Sequence, residues 1–141
     1  MSGPVFENLS VGDVIVERSF HLTRDSLVRY AGASGDFNPI HYRDDVARSV
    51  GLPGVLAHGM LTMGVAASPV AEWISGSGHV ADYQVRFTRP VVVDADEGAQ
   101  LQVTASVGAL DPEARTARID LKVRCADQSV LGKSQLVVAF A

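Results

Sequence analysis

Met60-Leu61-Thr62-Met63-Gly64-Val65-Ala66-Ala67-Ser68-Pro69-Val70-Ala71-Glu72-Trp73-Ile74 is a fifteen-residue run with one charge, Glu72. A helix apolar all round is a buried helix, not an amphipathic one lying on a surface. Gly64, Ala66, Ala67, Ser68 and Ala71 are small, so another backbone surface can approach closely. The run is too short to span a bilayer. It predicts a long central helix wrapped by a sheet, with Pro69 as the place for a kink.

The second half of the chain supplies the sheet. Tyr83, Val85 and Phe87 alternate with Gln84, Arg86 and Thr88, and Pro90 ends the run. Leu101, Val103, Ala105 and Val107 alternate with polar neighbours, as do Ile119, Leu121 and Val123. Asp111-Pro112-Glu113 and Asp127-Gln128-Ser129 read as turns, and Val130 to Phe140 as a last strand. Short turns imply antiparallel pairing.

The first half supplies one strand from Val14 and then helices. Thr23 is an N-cap ahead of Leu27, Tyr30 and Ala31, which share a face. Gly32 and Gly35 are expected to end that helix, and Asp44-Asp45 to start a short one through Val50. The sum is an α+β chain with a meander of about four strands. An unpaired edge makes dimerisation through the sheet plausible.

The 141 residues suit one domain, 1–141. At 47% hydrophobic and 20% charged, the chain has material for a substantial core. Its net charge of −4 and lack of a basic stripe argue against nucleic acid as a partner. No run suits a membrane, and the opening residues lack the pattern of a signal peptide. The lone Cys125, in a strand-like run, fits a reducing cytosol and a buried apolar role, so a cytoplasmic location is expected.

Chemistry concentrates in Ser34-Gly35-Asp36-Phe37-Asn38-Pro39-Ile40-His41. Pro39 fixes its own φ and keeps Asn38 out of the helical region, so Asp36 and His41 are read on a stiffened connection and not on a helix. A bent loop brings a carboxylate and an imidazole to one point, as acid–base chemistry requires. The same residues also make an Asx-Pro turn with a surface histidine. A second connection, Leu52 to Gly59, carries His58 just ahead of the apolar helix.

Three stretches together resemble one family: Asp36-Phe37-Asn38-Pro39-Ile40-His41, then Ala57-His58-Gly59-Met60-Leu61-Thr62-Met63-Gly64, then Tyr83-Gln84-Val85-Arg86-Phe87-Thr88-Arg89-Pro90. They are similar to the MaoC-like hydratases and dehydratases, in order and spacing over nearly the whole chain. The resemblance implies the hot-dog fold, an antiparallel sheet wrapped around a long central helix. It implies reversible hydration of a trans-2-enoyl thioester to the (3R)-hydroxyacyl thioester, with the acyl group on coenzyme A or acyl carrier protein.

In that reading Asp36 and His41 hold and activate the water. The backbone N–H of Gly59, at the helix start, is the expected donor to the thioester oxygen as negative charge develops. Asn38 is expected to orient the loop, and His58 to position or pack. Ser34 and Thr62 are candidate hydrogen-bonding neighbours, though a hydroxyl within a helix often bonds its own backbone. Arg86 reads as a solvated or interface charge, or as support for the loop across a dimer. No cofactor and no metal is implied. Asp36, His41 and His58 are chemically suited to hold an ion, but no zinc-type spacing appears.

Two rival readings share the fold. One is a thioesterase, against which the Asp-x-Asn-Pro-x-His loop speaks. The other is a partner subunit in a heterodimer, where a sister hot-dog chain shapes the acyl tunnel. A homodimer is the simpler expectation.

Overall fold

A computed structural model describes residues 2–141. In chain order the elements are β1 (Val14–Leu22), α1 (Arg24–Ser34), α2 (Asp44–Ser49), α3 (Gly59–Ile74), β2 (Gly78–Phe87), β3 (Ala99–Asp111), β4 (Thr116–Cys125), β5 (Gln128–Ser129) and β6 (Leu131–Phe140). The sheet runs β1-β3-β4-β6-β2, antiparallel throughout, with β5 beside β4. α3 lies in its concavity, which is the hot-dog arrangement.

Alternation builds the inner wall. Leu101, Val103, Ala105 and Val107 of β3, Ala117, Ile119, Leu121 and Val123 of β4, and Leu136 and Val138 of β6 point inward and are buried. They form one core with Ala66, Val70 and Ile74 of α3. Each fully buried Leu, Ile or Val contributes about 1.5–3 kcal/mol relative to exposure. The polar partners in each strand face outward, so register is fixed by which face is wet.

The start of α1 is a capping box. Thr23 Oγ1 accepts from the Ser26 N–H at 3.3 Å, and Ser26 Oγ accepts from the Thr23 N–H at 3.0 Å. The helix ends at Gly35, whose φ of 79° is left-handed. Gly32, expected to end the helix, lies inside it.

Other expectations are also corrected. α3 is not buried all round: Thr62, Ala66, Pro69, Val70 and Ile74 form its buried face, while Gly59, Met60, Gly64, Ala71 and Glu72 are exposed. The sheet covers one side of the helix, and an all-apolar sequence did not reveal which. α3 continues through Pro69. The meander is three strands, β3-β4-β6, because β2 pairs with β6 at the far edge and not with β3. The connection over residues 88–98 carries the chain across from β2 to β3. Gln128 and Ser129 are not turn residues but pair with Cys125 and Arg124, around a turn at Ala126–Asp127 whose φ values are 50° and 60°. Among the described residues no helix is long and apolar enough to cross a membrane.

One polar strut orients the corner where the loops meet. Arg24 Nε donates to the Val93 carbonyl at 2.6 Å, and its Nη2 lies 2.9 Å from Asp44 Oδ1. Asp44 Oδ1 also accepts from the Val55 N–H at 3.1 Å. These contacts, the Arg24 guanidinium foremost, hold the Asp44 carboxyl below its ordinary range. α1, α2 and both connections are thereby tied together.

Candidate active site

The loop after α1 folds on its own side chains. Ser34 Oγ accepts from the Asp36 N–H at 3.1 Å, Asp36 Oδ1 from the Asn38 N–H at 3.1 Å, and Asn38 Oδ1 from the Ile40 N–H at 3.2 Å. Successive Ser and Asx turns of this kind pin a loop without secondary structure. Pro39–His41 then forms a single 3-10 turn, with proline at its first positions. His41 was expected off any helix; it closes this turn, because Asn38 caps it.

Residues 55–57 bridge the loop to the sheet side. The Leu56 N–H donates to the Ile40 carbonyl at 3.1 Å, the Ala57 N–H to Val91 at 2.9 Å, and the Val93 N–H to Val55 at 2.9 Å. The Leu56 carbonyl is thus fixed, and His41 Nδ1 lies 2.7 Å from it. A carbonyl only accepts, so Nδ1 carries the proton and Nε2 presents a lone pair. Nε2 lies 3.9 Å from Asp36 Oδ2. That is too long for a direct hydrogen bond and suits one bridging water. His41 is 9% exposed, while the Asp36 side chain is half exposed, so the pair has a dry side and a wet side.

His58 backs this pair. It is 1% exposed and its ring stacks on His41 with centroids 3.8 Å apart. Tyr30 meets it edge-on at 4.7 Å. His58 Nε2 donates to the Asp36 carbonyl at 3.1 Å, so its Nδ1 is a bare acceptor, buried with no partner. Burial foremost holds the His58 pKa below the ordinary value, against the raising effect of its hydrogen bond to the Asp36 carbonyl, and the neighbouring His41 adds to the lowering.

Gly59 is the first residue of α3, and its N–H has no partner within the helix. A Cβ at this position would stand 3.0 Å from Phe87 Cε1, so a larger residue here would have to push the Phe87 ring aside by a few tenths of an ångström. Beside it opens a cleft of about 290 Å³, whose walls include His41, Gly59, Thr62, Phe87, Arg89 and Leu131. Thr62 is buried on α3, one turn beyond His58, and its N–H donates to the His58 carbonyl at 3.1 Å.

Asp36, His41, His58, Gly59 and Thr62 are therefore brought together, with Asn38 and Ser34 shaping the loop. Arg86 is not: it is exposed on β2 beside Lys133, away from the cleft walls. The donor atoms of Asp36, His41 and His58 lie within 4.8 Å of one another, close enough to share an ion or to relay a proton. His21 and His79 are exposed, as expected. Trp73 packs edge-on against Phe140 with centroids 6.2 Å apart. Burial pushes the Cys125 thiol up, which suits an unreactive role. The Leu56 carbonyl carries no signal that sequence reading could assign to the site. The Phe87 ring and Arg89 had one, as parts of the Phe87-Thr88-Arg89-Pro90 strand end.

Comparison with known proteins follows this geometry. A family model described as MaoC like domain matches residues 6–122. A 3-hydroxyacyl-thioester dehydratase X of Mycobacterium tuberculosis is 39% identical over 77 residues, which is 55% of this chain and 26% of that protein. A 3-hydroxybutyryl-CoA dehydratase of Methylorubrum extorquens is 30% identical over 133 residues, 94% of this chain and 82% of that one. A solved structure of a MaoC-like dehydratase superposes with a TM-score of 0.92 at 37% identity, over 99% of this chain and 43% of that one. This chain thus spans about a quarter of the first relative's length and less than half of the solved structure's. With the family model matched over most of its residues and a relative 30% identical along nearly all of them, the chain belongs to the MaoC-like domain family.

Proposed function

We propose that this protein reversibly hydrates trans-2-enoyl thioesters to (3R)-hydroxyacyl thioesters, acting as a hydro-lyase without a cofactor. The observation that carries the reading is the 3.9 Å gap between His41 Nε2 and Asp36 Oδ2, beside a cleft lined by His41 and Gly59. A water in that gap donates one proton to each group. His41 Nε2 takes its proton as the water oxygen adds to C3, and that proton is returned to C2. Asp36 holds the water by its other proton, which stays on the new hydroxyl. Electron density passes to the thioester oxygen, where the Gly59 N–H at the start of α3 stabilises it. Removing such a donor costs about 3–4 kcal/mol of barrier in other enzymes. Dehydration is the same path reversed.

The remaining residues serve this geometry. Ser34 and Asn38 hold the loop, His58 braces the Asp36 carbonyl, and Thr62 lines the floor where the reacting carbons lie. Residues 1–141 act as one unit of this kind, in the cytoplasm, on a thioester of coenzyme A or acyl carrier protein. A second hot-dog chain, a copy of this one or a sister, pairs along the free edge of β2. Among the described residues that edge has no neighbouring strand, and Phe87 at the end of β2 and Met60 at the start of α3 are more than half exposed. Native mass spectrometry of the protein purified alone checks the pairing.

The test of the activity is loss of the enoyl-thioester absorbance with crotonyl-coenzyme A, with a thiol reagent read in parallel. Loss of the band without thiol release is the expected result. Thiol release with the double bond intact would transfer the chain to the thioesterase reading.

A further inference from the structure

A hydroxyl inside a helix commonly bonds back to its own backbone. Ser49 Oγ does so in α2, donating to the Val46 carbonyl at 2.7 Å, and Ser68 Oγ in α3, donating to the Val65 carbonyl at 2.8 Å. Thr62 does not. Its hydroxyl has no hydrogen-bond partner among the described residues, although Thr62 is only 2% exposed. The unpartnered polar side-chain atoms sealed from open space are His58 Nδ1 and Ser134 Oγ. Thr62 Oγ1 is neither bonded nor sealed, so the small part of Thr62 left uncovered includes its hydroxyl. Thr62 is a wall of the cleft, and that is where the hydroxyl opens.

Its place on α3 decides what it can reach. Side chains on a helix lean toward the N-terminus and cover the turn before their own Cα. For Thr62 that turn begins at Gly59, three residues back on the same face and also a wall of the cleft. Gly59 has no side chain to stand between them, and the Phe87 ring closes over the spot that one would fill. Two free donors, the Gly59 N–H and the Thr62 hydroxyl, therefore lie one turn apart on one helix face, in the cleft that His41 also lines.

The arrangement works against stability. A buried hydroxyl with no partner is destabilising, and valine has nearly the same shape without it. Threonine is also a weaker helix former than the Leu61 and Met63 on either side of it. A polar group kept where an apolar one would be more stable is the pattern of a functional position.

Building on the hydratase reading above, we propose that Thr62 is a catalytic residue, whose hydroxyl donates a second hydrogen bond to the thioester oxygen, beside that of the Gly59 N–H, as negative charge develops there. Donors fixed in a largely apolar cleft need no reorganisation when the charge appears. The proton stays on Thr62 Oγ1 throughout, so His41 and Asp36 keep the proton transfers to themselves.

The test assays wild type, Thr62→Val and Thr62→Ser with crotonyl-coenzyme A. Valine removes the donor and keeps the shape; serine keeps the donor. Thr62→Val should lower kcat about 10²-fold with KM within about twofold, the signature of a bond made chiefly in the transition state. Its unfolding midpoint should match or exceed that of wild type, and Thr62→Ser should recover most of the lost kcat. A second measurement follows the infrared stretch of the carbon-13-labelled thioester carbonyl of crotonyl-coenzyme A bound to Asp36→Asn, which blocks hydration. Adding Thr62→Val should move the stretch toward that of the free thioester, since one donor fewer polarises the bond. An unchanged kcat in Thr62→Val overturns the inference. Equal losses in Thr62→Val and Thr62→Ser also overturn it, because shape and not the donor would then matter. A fall in kcat with an unmoved stretch overturns it too, by placing the hydroxyl on the water. Wild type that fails to hydrate crotonyl thioesters of both coenzyme A and acyl carrier protein would instead sink the hydratase reading, so the two failures are distinct.

Discussion

The inner wall of the sheet and the two histidines at the corner where α3 starts are all buried but held by different physics. On the wall, Leu101, Val103, Ile119, Val123, Leu136 and Val138 are at most 1% exposed and present only apolar atoms. At the corner, His41 and His58 are nearly as buried, and each imidazole is oriented by one backbone carbonyl, of Leu56 and of Asp36. The wall depends on volume and is indifferent to which apolar atom fills it. The corner depends on single atoms, and a change that conserves volume still destroys it. The molecule thus separates what stabilises it from what reacts.

The sharpest way to break this separation is at His41. His41→Ala should lower turnover of crotonyl-coenzyme A by about 10²–10⁴ while far-ultraviolet circular dichroism stays that of the folded protein. Near-normal turnover would remove the imidazole from the chemistry. Leu136→Ala is the reciprocal change. It should cost about 2–5 kcal/mol of stability by denaturant unfolding, and leave kcat of the folded protein as it was. A fall in kcat well below its unfolding midpoint would show wall and corner to be coupled.

Gly59→Ala probes the seam between them. Its methyl meets the Phe87 ring at 3.0 Å, and overpacking of this kind costs about 1–3 kcal/mol, or roughly tenfold in turnover if it falls on the reacting geometry. Phe87→Leu in the same chain should restore part of the loss; no recovery would place the fault elsewhere.

The smallest effect is the pH dependence set by His58. Its folded pKa lies below the ordinary value because burial penalises the charged form. The unfolded chain takes up that proton near pH 6.5 and the folded one only lower, so stability falls as pH drops from about 6.5 toward the folded pKa. His58→Asn should flatten that part of the curve of unfolding midpoint against pH. An unchanged slope would assign the acid sensitivity to other groups.

The contrast also explains what the sequence disclosed. Period-two runs such as Leu101 to Val107 state their own inward face, and the capping residues Thr23 and Gly35 state where α1 begins and ends. The Asp36–His41 loop was legible because its turns are closed by neighbours within two positions. What stayed hidden depended on distant partners. The exposed flank of α3 was invisible because every face of that helix reads as apolar. The place of β2 beside β6 is decided by a connection that looks the same whichever edge it reaches. The contact of Arg86 with the Lys133 side of the sheet needs a bulge that no local pattern announces.

The central claim is that Asp36 and His41 act as one unit on one water, and a double-mutant cycle in kcat tests it most directly. Asp36→Asn, His41→Ala and the double variant are assayed with crotonyl-coenzyme A, each shown to be folded. If the two side chains share the water, the double variant loses little more than the worse single one, since either change already disables the unit. Losses that multiply would mean that the carboxylate and the imidazole act independently, and the bridging water in the 3.9 Å gap would have to be abandoned.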